Sequence, residues 1–263
     1  MKNYSINEKS LREKLDYHYK YFDASQLSPD PLEFPRRYER EKDIEISAFV
    51  SAVFAYGNIL QIEKTLTKIH ALFGKSPFRF VARFDESKKI PSDLYHRFYS
   101  TEDVKILLTI LREIYSSRGS LKKLFLSCYN ENDLNLKNTI SKFSSSLLQI
   151  AEEKAELTDG VKFMFPDPQK GSACKRMNLF LRWMIRKDEL DFGLWNEIPS
   201  SKLVIPVDTH VSKICRKLGL TKRKNVSWKM AEEITENLKV FDPDDPVKYD
   251  FAICHIGMRK MKF

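Results

Sequence analysis

Apolar residues recur at three- and four-residue spacing along almost the whole chain, and this helical periodicity restricts its folds more than any other feature. No alternation of apolar and polar residues predicts paired strands, and the eight glycines are too few for a turn-dense all-β fold. At 263 residues and 42% hydrophobic content, the chain can bury a core in one large domain or two small ones. The sequence therefore predicts an all-α fold.

The periodicity also predicts where the helices lie. We expect them over 8–22, 43–73 with a break at Gly57-Asn58, 76–84, 93–99, 101–116, 120–129, 136–153, 173–187, 208–219, 228–240 and 246–258. Residues 158–172 contain two prolines and two glycines and predict a loop or hairpin. Residues 188–202 are expected to form a short helix followed by a loop.

Two charged residues stand at predicted helix starts. Lys175 follows Gly171-Ser172-Ala173-Cys174, and Asp208 lies thirty-three positions later within the run from Ile205 to Val211. Because a helix N-terminus carries a partial positive charge, it should favour an ionised Asp208 and disfavour a protonated Lys175. If the fold brings them together, an amine nucleophile lies beside a carboxylate base.

The positive charge is concentrated around this pair. The formal net charge is +9, and residues 162–229 contain fifteen Lys or Arg against six Asp or Glu, an excess that equals the whole net charge. A basic surface without a specific partner is the plainer explanation. Concentration of the entire excess in one segment favours a surface that binds a phosphate backbone.

The sequence gives little sign of a metal or a membrane. Its four cysteines, 46, 41 and 39 positions apart, have no metal-ligand or iron–sulfur spacing and predict reduced core residues. His210 could join Asp208 at a metal, but no third ligand is near, so a DNA-contacting or structural histidine is favoured. No apolar run approaches the ~20 residues of a membrane span and the N-terminus has no signal-like apolar region, so we expect a cytoplasmic protein.

The same motifs resemble a known family. The Gly171–Lys175 run, the Ile205–Val211 run and the helix end Arg216-Lys217-Leu218-Gly219-Leu220 are similar to those of the helix-hairpin-helix DNA glycosylases, which include endonuclease III and the oxidised-guanine glycosylases. Together with Tyr249-Asp250-Phe251-Ala252 and Ala55-Tyr56-Gly57-Asn58, they look most like an uncharacterised bacterial branch of that superfamily. The hairpin departs from the family pattern, because residues 169–173 stand where Leu-Pro-Gly-Val-Gly is usual.

The resemblance implies two helical domains with a DNA-binding cleft between them. One would be a helical barrel over 46–187, with the helix-hairpin-helix-like element near 160–187; the other would combine 1–45 with 188–263 and carry Asp208. The implied function is that of a base-excision repair DNA glycosylase, with or without AP lyase activity, in which Lys175 is the nucleophile and Asp208 the base. It implies no cofactor, a monomer, and double-stranded DNA with a damaged base as the partner. The implied DNA-binding residues are Asn58, Gly171, Ser172, Arg176, Arg182, Arg186, His210 and Lys213.

Each of these residues also has a structural explanation. Asp208 and Asn58 are good helix caps and could do nothing more. Lys175 could bind phosphate alone, on a helix face shared with Asn178, Arg182 and Arg186. The altered hairpin and the long connection to Asp208 favour this alternative, a non-catalytic nucleic-acid-binding protein of the same fold. The aromatic residues that could stack on a flipped base, or lie in the core, are Trp183, Trp195, Trp228 and Phe192.

Overall fold

The computed structural model of the chain describes residues 8–85, 87 and 90–259, and its regular structure is helical. The helices in these residues are α1 Glu8–Tyr21, α2 Glu41–Phe54, α3 Ile59–Phe73, α4 Pro77–Ala82, α5 Thr101–Ser117, α6 Leu121–Cys128, α7 Lys137–Glu152, α8 Asp159–Met164, α9 Lys175–Ile185, α10 Thr209–Lys217, α11 Trp228–Lys239 and α12 Asp250–Met258. Five 3₁₀ turns join them, at Ala24–Gln26, Pro31–Glu33, Pro35–Arg37, Pro168–Lys170 and Ser200–Lys202. The predicted all-α class is confirmed.

Most predicted helices are present within two to four residues of their expected ends, but three segments differ. Residues 93–99 are not helical; His96 and Tyr99 instead exchange two backbone hydrogen bonds of 2.9 Å across a tight turn. Residues 158–172, expected as a loop, include α8, which begins at the cap residue Thr158. Residues 188–202 contain a single 3₁₀ turn where a short helix was expected.

The chain divides into two compact units. Unit 1 is Met1–Leu27 with Lys170–Phe263, and unit 2 is the continuous segment Ser28–Gln169. These limits differ from the predicted 46–187, because α9 groups with α10, α11 and α12. The barrel and the cleft remain predictions from the resemblance.

Unit 2 is built around α2, in which every residue from Asp43 to Phe54 is buried. The buried carboxylate of Glu45 accepts hydrogen bonds from the backbone N–H groups of Leu121 (2.9 Å) and Lys122 (3.0 Å), at the start of α6. Asp43 accepts one from Phe78 N (2.8 Å), at the start of α4. Two carboxylates from the N-terminal half of α2, Asp43 and Glu45, thus supply acceptors to the orphan N–H groups of two other helices.

Unit 1 joins α1 to the last four helices. The hydroxyl of Tyr249 donates to Asp16 Oδ1 (2.7 Å) and the Arg12 guanidinium donates to the carbonyl of Val240 (3.0 Å). The three tryptophans Trp183, Trp195 and Trp228 are all buried in this unit. They are core residues, one of the two roles that the sequence left open for them, while Phe192 is half-buried.

Cys174 and Cys215 are buried, Cys128 and Cys254 are half-buried, and all four are free thiols. Across the described residues, no helix combines the length and the apolar character that crossing a membrane requires.

Candidate functional site: a lysine–aspartate pair in unit 1

Lys175 is the first residue of α9, and the loop before it is held on both sides. Gly171 has φ 88°, a conformation that favours glycine, and its carbonyl accepts a hydrogen bond from Trp228 N (3.1 Å) at the start of α11. The Asn178 amide donates to the carbonyl of Ala173 (3.1 Å). Because both ends of the loop are fixed, the position of the Lys175 backbone is fixed with them.

Asp208 is the N-cap of α10, and its two carboxylate oxygens have different partners. Oδ1 accepts from the backbone N–H groups of His210 (2.8 Å) and Val211 (2.9 Å). Oδ2 lies 2.8 Å from Lys175 Nζ. The side chains of Lys175 and Asp208 are 30% and 23% exposed, so solvent reaches this pair.

The pKa of Asp208 is shifted in the direction expected from the helix N-terminus, and the pKa of Lys175 is shifted in the opposite direction. Burial alone would raise the pKa of Asp208, but the Lys175 ammonium and the two backbone N–H groups lower it overall, as the helix N-terminus predicts. Burial alone would lower the pKa of Lys175, but Asp208, with smaller contributions from Cys254 and Asp250, raises it. The pKa of Lys175 is therefore shifted in the opposite direction to the one expected from the helix N-terminus, because the carboxylate of Asp208 favours the ammonium.

A network of buried ion pairs lies further along α9. Arg182 Nη1 donates to Asp250 Oδ2 (2.6 Å) and its Nε and Nη2 donate to Asp191 (3.1 Å each to the nearer oxygens). Arg186 Nε donates to Asp245 Oδ1 (2.8 Å), and its Nη1 also donates to Asp191. Both arginines are 2% exposed. The network connects α9 to the start of α12 through the buried side chains of Arg182 and Asp250, whereas Asp245 at its edge is 29% exposed.

This burial corrects the predicted DNA-binding face of α9. Arg182 and Arg186 have their donors on carboxylates, and a buried charge leaves such partners only at a large cost in free energy, so neither guanidinium can contact a phosphate backbone in this conformation. Arg176 and Asn178 are also buried, at 8% and 1% exposure. Helical spacing predicted one face for Lys175, Asn178, Arg182 and Arg186, but on that face only Lys175 is partly exposed and the other three are buried.

Asp250 is the residue of this region that the sequence analysis missed. Burial raises its pKa to about 6, although the charges of Arg182 and Lys175 oppose that effect. Burial, with the charges of Asp250 and Asp208, raises the pKa of the Cys215 thiol. The available signal was a single acidic residue within the largely apolar helix predicted over 246–258, in the motif from Tyr249 to Ala252.

The other predicted DNA-binding residues are at or near the surface. In unit 1, Gly171, His210 and Lys213 are exposed and Ser172 is half-buried. In unit 2, Asn58 is exposed and caps α3 by accepting a hydrogen bond from Leu60 N (2.9 Å). No group of three or more His, Cys, Asp or Glu that could hold a metal occurs in the part of the chain that the structure describes.

The chain matches one family model, and it matches neither a curated protein nor a solved structure. The family model matches residues 30–259, most of the chain, and its description is a protein family of unknown function, DUF2400. The match includes α2 to α12 and both members of the lysine–aspartate pair. The chain therefore belongs to the DUF2400 family.

Proposed function

We propose that this protein is a base-excision DNA glycosylase with AP lyase activity, in which Lys175 is the nucleophile and Asp208 its proton acceptor. The observation that carries the proposal is the 2.8 Å contact between Lys175 Nζ and Asp208 Oδ2 in a pair that solvent reaches. A second support is the resemblance of the two motifs to the helix-hairpin-helix glycosylases. The two-domain, cleft-containing arrangement of those enzymes belongs to the same proposal.

The charge distribution supports DNA as the partner. Of the fifteen basic residues in 162–229, nine are exposed: Lys162, Lys170, Lys187, Lys213, Lys217, Lys222, Arg223, Lys224 and Lys229. Although Arg176, Arg182 and Arg186 are buried, most of the basic residues in 162–229 therefore lie on the surface. A duplex phosphate backbone is the polyanion that such a surface binds most simply.

Lys175 must lose a proton before it can act, and Asp208 is placed to take it. Water keeps the ion pair charged, but a bound sugar that excludes water favours the neutral amine and carboxylic acid over two buried charges. The amine then attacks C1′, the bond from C1′ to the base breaks, and its electron pair leaves with the base, which receives the proton from Asp208. The C1′–O4′ bond next opens as one proton moves from nitrogen to O4′, which leaves an iminium on Lys175.

A non-catalytic binding protein is the second candidate, and one observation favours it. The raised pKa of Lys175 keeps its side chain an ammonium in the resting protein, which suits phosphate binding as well as it suits a salt bridge. The two candidates differ in one chemical property, because only the enzyme forms a covalent bond to the sugar.

Borohydride trapping on a duplex with an abasic site tests this property. The iminium would be reduced to a stable amine, so the parent protein should form a covalent DNA adduct at Lys175. Lys175→Arg keeps the positive charge but cannot form the iminium, so trapping should disappear while duplex binding persists. Lys170→Arg, at an exposed lysine five positions earlier, is the matched control and should trap at the parent rate. Equal trapping rates for the parent and Lys175→Arg would refute the nucleophile.

A further inference from the structure

Unit 2 has a cavity of about 340 Å³ between α3 and the turn that follows residue 92. One wall is the face of α3 that carries Gln61, Lys64 and Lys68, and the other is the segment from Asp93 to Arg97. Thr65 and His96, which are 7% and 2% exposed, form its floor. A cavity of this size is at the lower end of those that hold small ligands or single groups of larger ones.

Exposed aromatic rings lie on the turn that lines this cavity and on the neighbouring helix α8. Tyr95 is 67% exposed, Phe98 is 64% exposed and Phe163 is 42% exposed. Phe98 is stacked on Tyr56, with ring centroids 6.4 Å apart and an angle of 9° between the planes, and Phe163 meets Phe98 edge-on at 5.4 Å. Exposed rings that are already aligned offer a flat apolar face to another ring.

The turn that carries Phe98 is held rigidly. His96 Nε2 lies 2.9 Å from the carbonyl oxygen of Tyr56, and His96 Nδ1 lies 3.1 Å from Thr65 Oγ1. The Tyr56 hydroxyl donates to the carbonyl of His96 (2.7 Å). Arg97, at the tip of the turn, has φ 55°, which is uncommon for a residue with a side chain. The turn is thus fixed by α3 and by the segment after α2, so its rings are ordered before any partner arrives.

Positive charge lies between the cavity and the rings. The Arg97 guanidinium is 5.6 Å from the ring centroid of Tyr56 and 5.5 Å from that of Phe98, and Arg97 also lines the cavity. A side chain at Gly57 would meet Arg97 Cδ at 2.8 Å, so the glycine leaves room for this arginine. Lys68 is paired with Asp93, whereas no described carboxylate forms an ion pair with Lys64 or Arg97. The cavity therefore has an excess of positive charge and can hold an anion.

We propose that this aromatic and cationic surface, defined by Lys64, Arg97, Phe98 and the cavity between them, binds single-stranded nucleic acid. A backbone phosphate would lie in the cavity against Lys64 and Arg97, and the adjoining base would stack on Phe98. Single-strand binding proteins combine the same two elements, a basic groove and exposed rings. An acidic peptide would satisfy the cations but would leave the stacked rings without a partner. The proposal does not depend on Lys175 or Asp208.

Fluorescence anisotropy with a labelled single strand of about 10 nucleotides tests the surface in the whole protein. Phe98→Ala should weaken binding about 5- to 100-fold, the usual effect of removing one stacking ring, while Phe98→Tyr should bind like the parent. Leu134→Ala is the control, since Leu134 is 88% exposed in the same unit. Lys64→Glu should weaken binding and lower its salt dependence, whereas Lys142→Glu, the same charge change on the exposed side of α7, should not.

The location of the strand can be measured independently. Photocrosslinking with a bromouracil-containing strand should modify the peptide that includes residues 95–98. Binding by Phe98→Ala that equals the parent, or a crosslink elsewhere only, would overturn the proposal. Competition by an acidic polypeptide as strong as that by an unlabelled strand would also overturn it. Lys175→Arg and Asp208→Asn should bind the strand like the parent, so failure of the proposed glycosylase and failure of this surface are separate results.

Discussion

The two oxygens of Asp208 have separate partners, so its structural and chemical roles can be tested apart. Oδ1 caps α10 through two backbone N–H groups, and Oδ2 holds the Lys175 ammonium. An asparagine at this position can still cap with its carbonyl oxygen, because Asn and Asp are comparable N-cap residues. It cannot accept a proton or stabilise a cation.

Asp208→Asn should therefore keep the fold and lose the chemistry. We expect thermal unfolding close to that of the parent, and a fall of at least about 100-fold in excision on any lesion that the parent processes. The pKa of Lys175 should fall, because burial then acts without the opposing carboxylate; an NMR titration of the lysine side chain measures this.

Asp208→Ala is the matched control for the cap. It removes both roles and should lower the free energy of unfolding by about 1 kcal/mol relative to Asp208→Asn. Excision by Asp208→Asn at the parent rate would show that the carboxylate has no part in the reaction.

At the scale of elements, the packing of α9 in unit 1 depends on buried ion pairs. Arg182 and Arg186 neutralise carboxylates that come from the loop after α9 and from the start of α12. Removing one member of such a network leaves an uncompensated charge inside the protein, which costs far more than the contact itself.

Arg182→Ala should lower the free energy of unfolding by about 3–5 kcal/mol, because Asp191 and Asp250 lose a buried cation. Urea unfolding followed by tryptophan fluorescence measures this in unit 1, which contains all three tryptophans. Lys187→Ala removes an exposed cation just beyond α9 and should change the same quantity by less than about 0.5 kcal/mol. A similar loss for the two variants would contradict the network's role.

Gly160→Ala gives a second test at this scale. In an ordinary helix this change stabilises by about 1 kcal/mol, but a Cβ on Gly160 would lie 2.6 Å from Cγ of Asp103. That carboxylate cannot easily move, because Asp103 Oδ2 accepts from Ser100 N (2.6 Å) and Oγ (2.8 Å). We expect a loss of about 1–3 kcal/mol in urea unfolding. A gain in stability would mean that α8 moves away from α5 freely.

These elements also show which parts of the structure local sequence could predict. The caps Asn58 and Asp208 and the helix start at Lys175 follow from neighbouring residues, and the structure confirms them. Residues 93–99 have a helical pattern but form a turn, because His96 bonds to Tyr56 and Thr65, partners 31 to 40 positions away. A local pattern contains no information about such partners.

The same limit explains the error at α9. Helical spacing placed Arg182 and Arg186 on one face, and a basic face is usually solvated. Two of their carboxylate partners, Asp245 and Asp250, lie 59 and 68 positions further along the chain, so only the fold brings these to the arginines; the third, Asp191, is five to nine positions away, but its burial also depends on the fold. The approach of Lys175 to Asp208 was only a condition of the sequence interpretation, and the structure meets it with a 2.8 Å contact between two residues of the same unit.

At the scale of the whole molecule, each unit contains a buried histidine that acid should disturb. Burial lowers the pKa of His70 in unit 2 and of His255 in unit 1 to about 4 in each case. Both are neutral in the folded protein, while the unfolded chain binds protons near pH 6.5. Their contribution to stability is therefore complete above pH 6.5 and is lost as the pH falls towards 4. Burial raises the pKa of Asp250 to about 6, so its contribution to stability changes in the opposite direction. That contribution increases as the pH falls from about 6 to about 4.

His70→Gln should reduce this acid sensitivity. Between pH 7 and pH 5 the parent should lose about 2 kcal/mol of unfolding free energy through His70 alone, and the variant should not lose that part. Urea unfolding followed by circular dichroism at the two pH values measures the difference. His210→Gln, at an exposed histidine, is the matched control and should behave like the parent. An unchanged pH dependence in His70→Gln would mean that the pKa of His70 is the same in the folded and the unfolded protein.

The order of the units along the chain has a consequence for synthesis on the ribosome. Unit 2 is one uninterrupted segment, so all of its residues have been translated once Gln169 is added. Unit 1 needs α1 from the beginning and α12 from the end, so α1 must wait while more than two hundred residues are made. A nascent chain that stalls before α10 contains unit 2, with its aromatic turn, but has no Asp208 to face Lys175. The lysine–aspartate pair can therefore form only after Asp208 has been made, when all of unit 2 has already been translated.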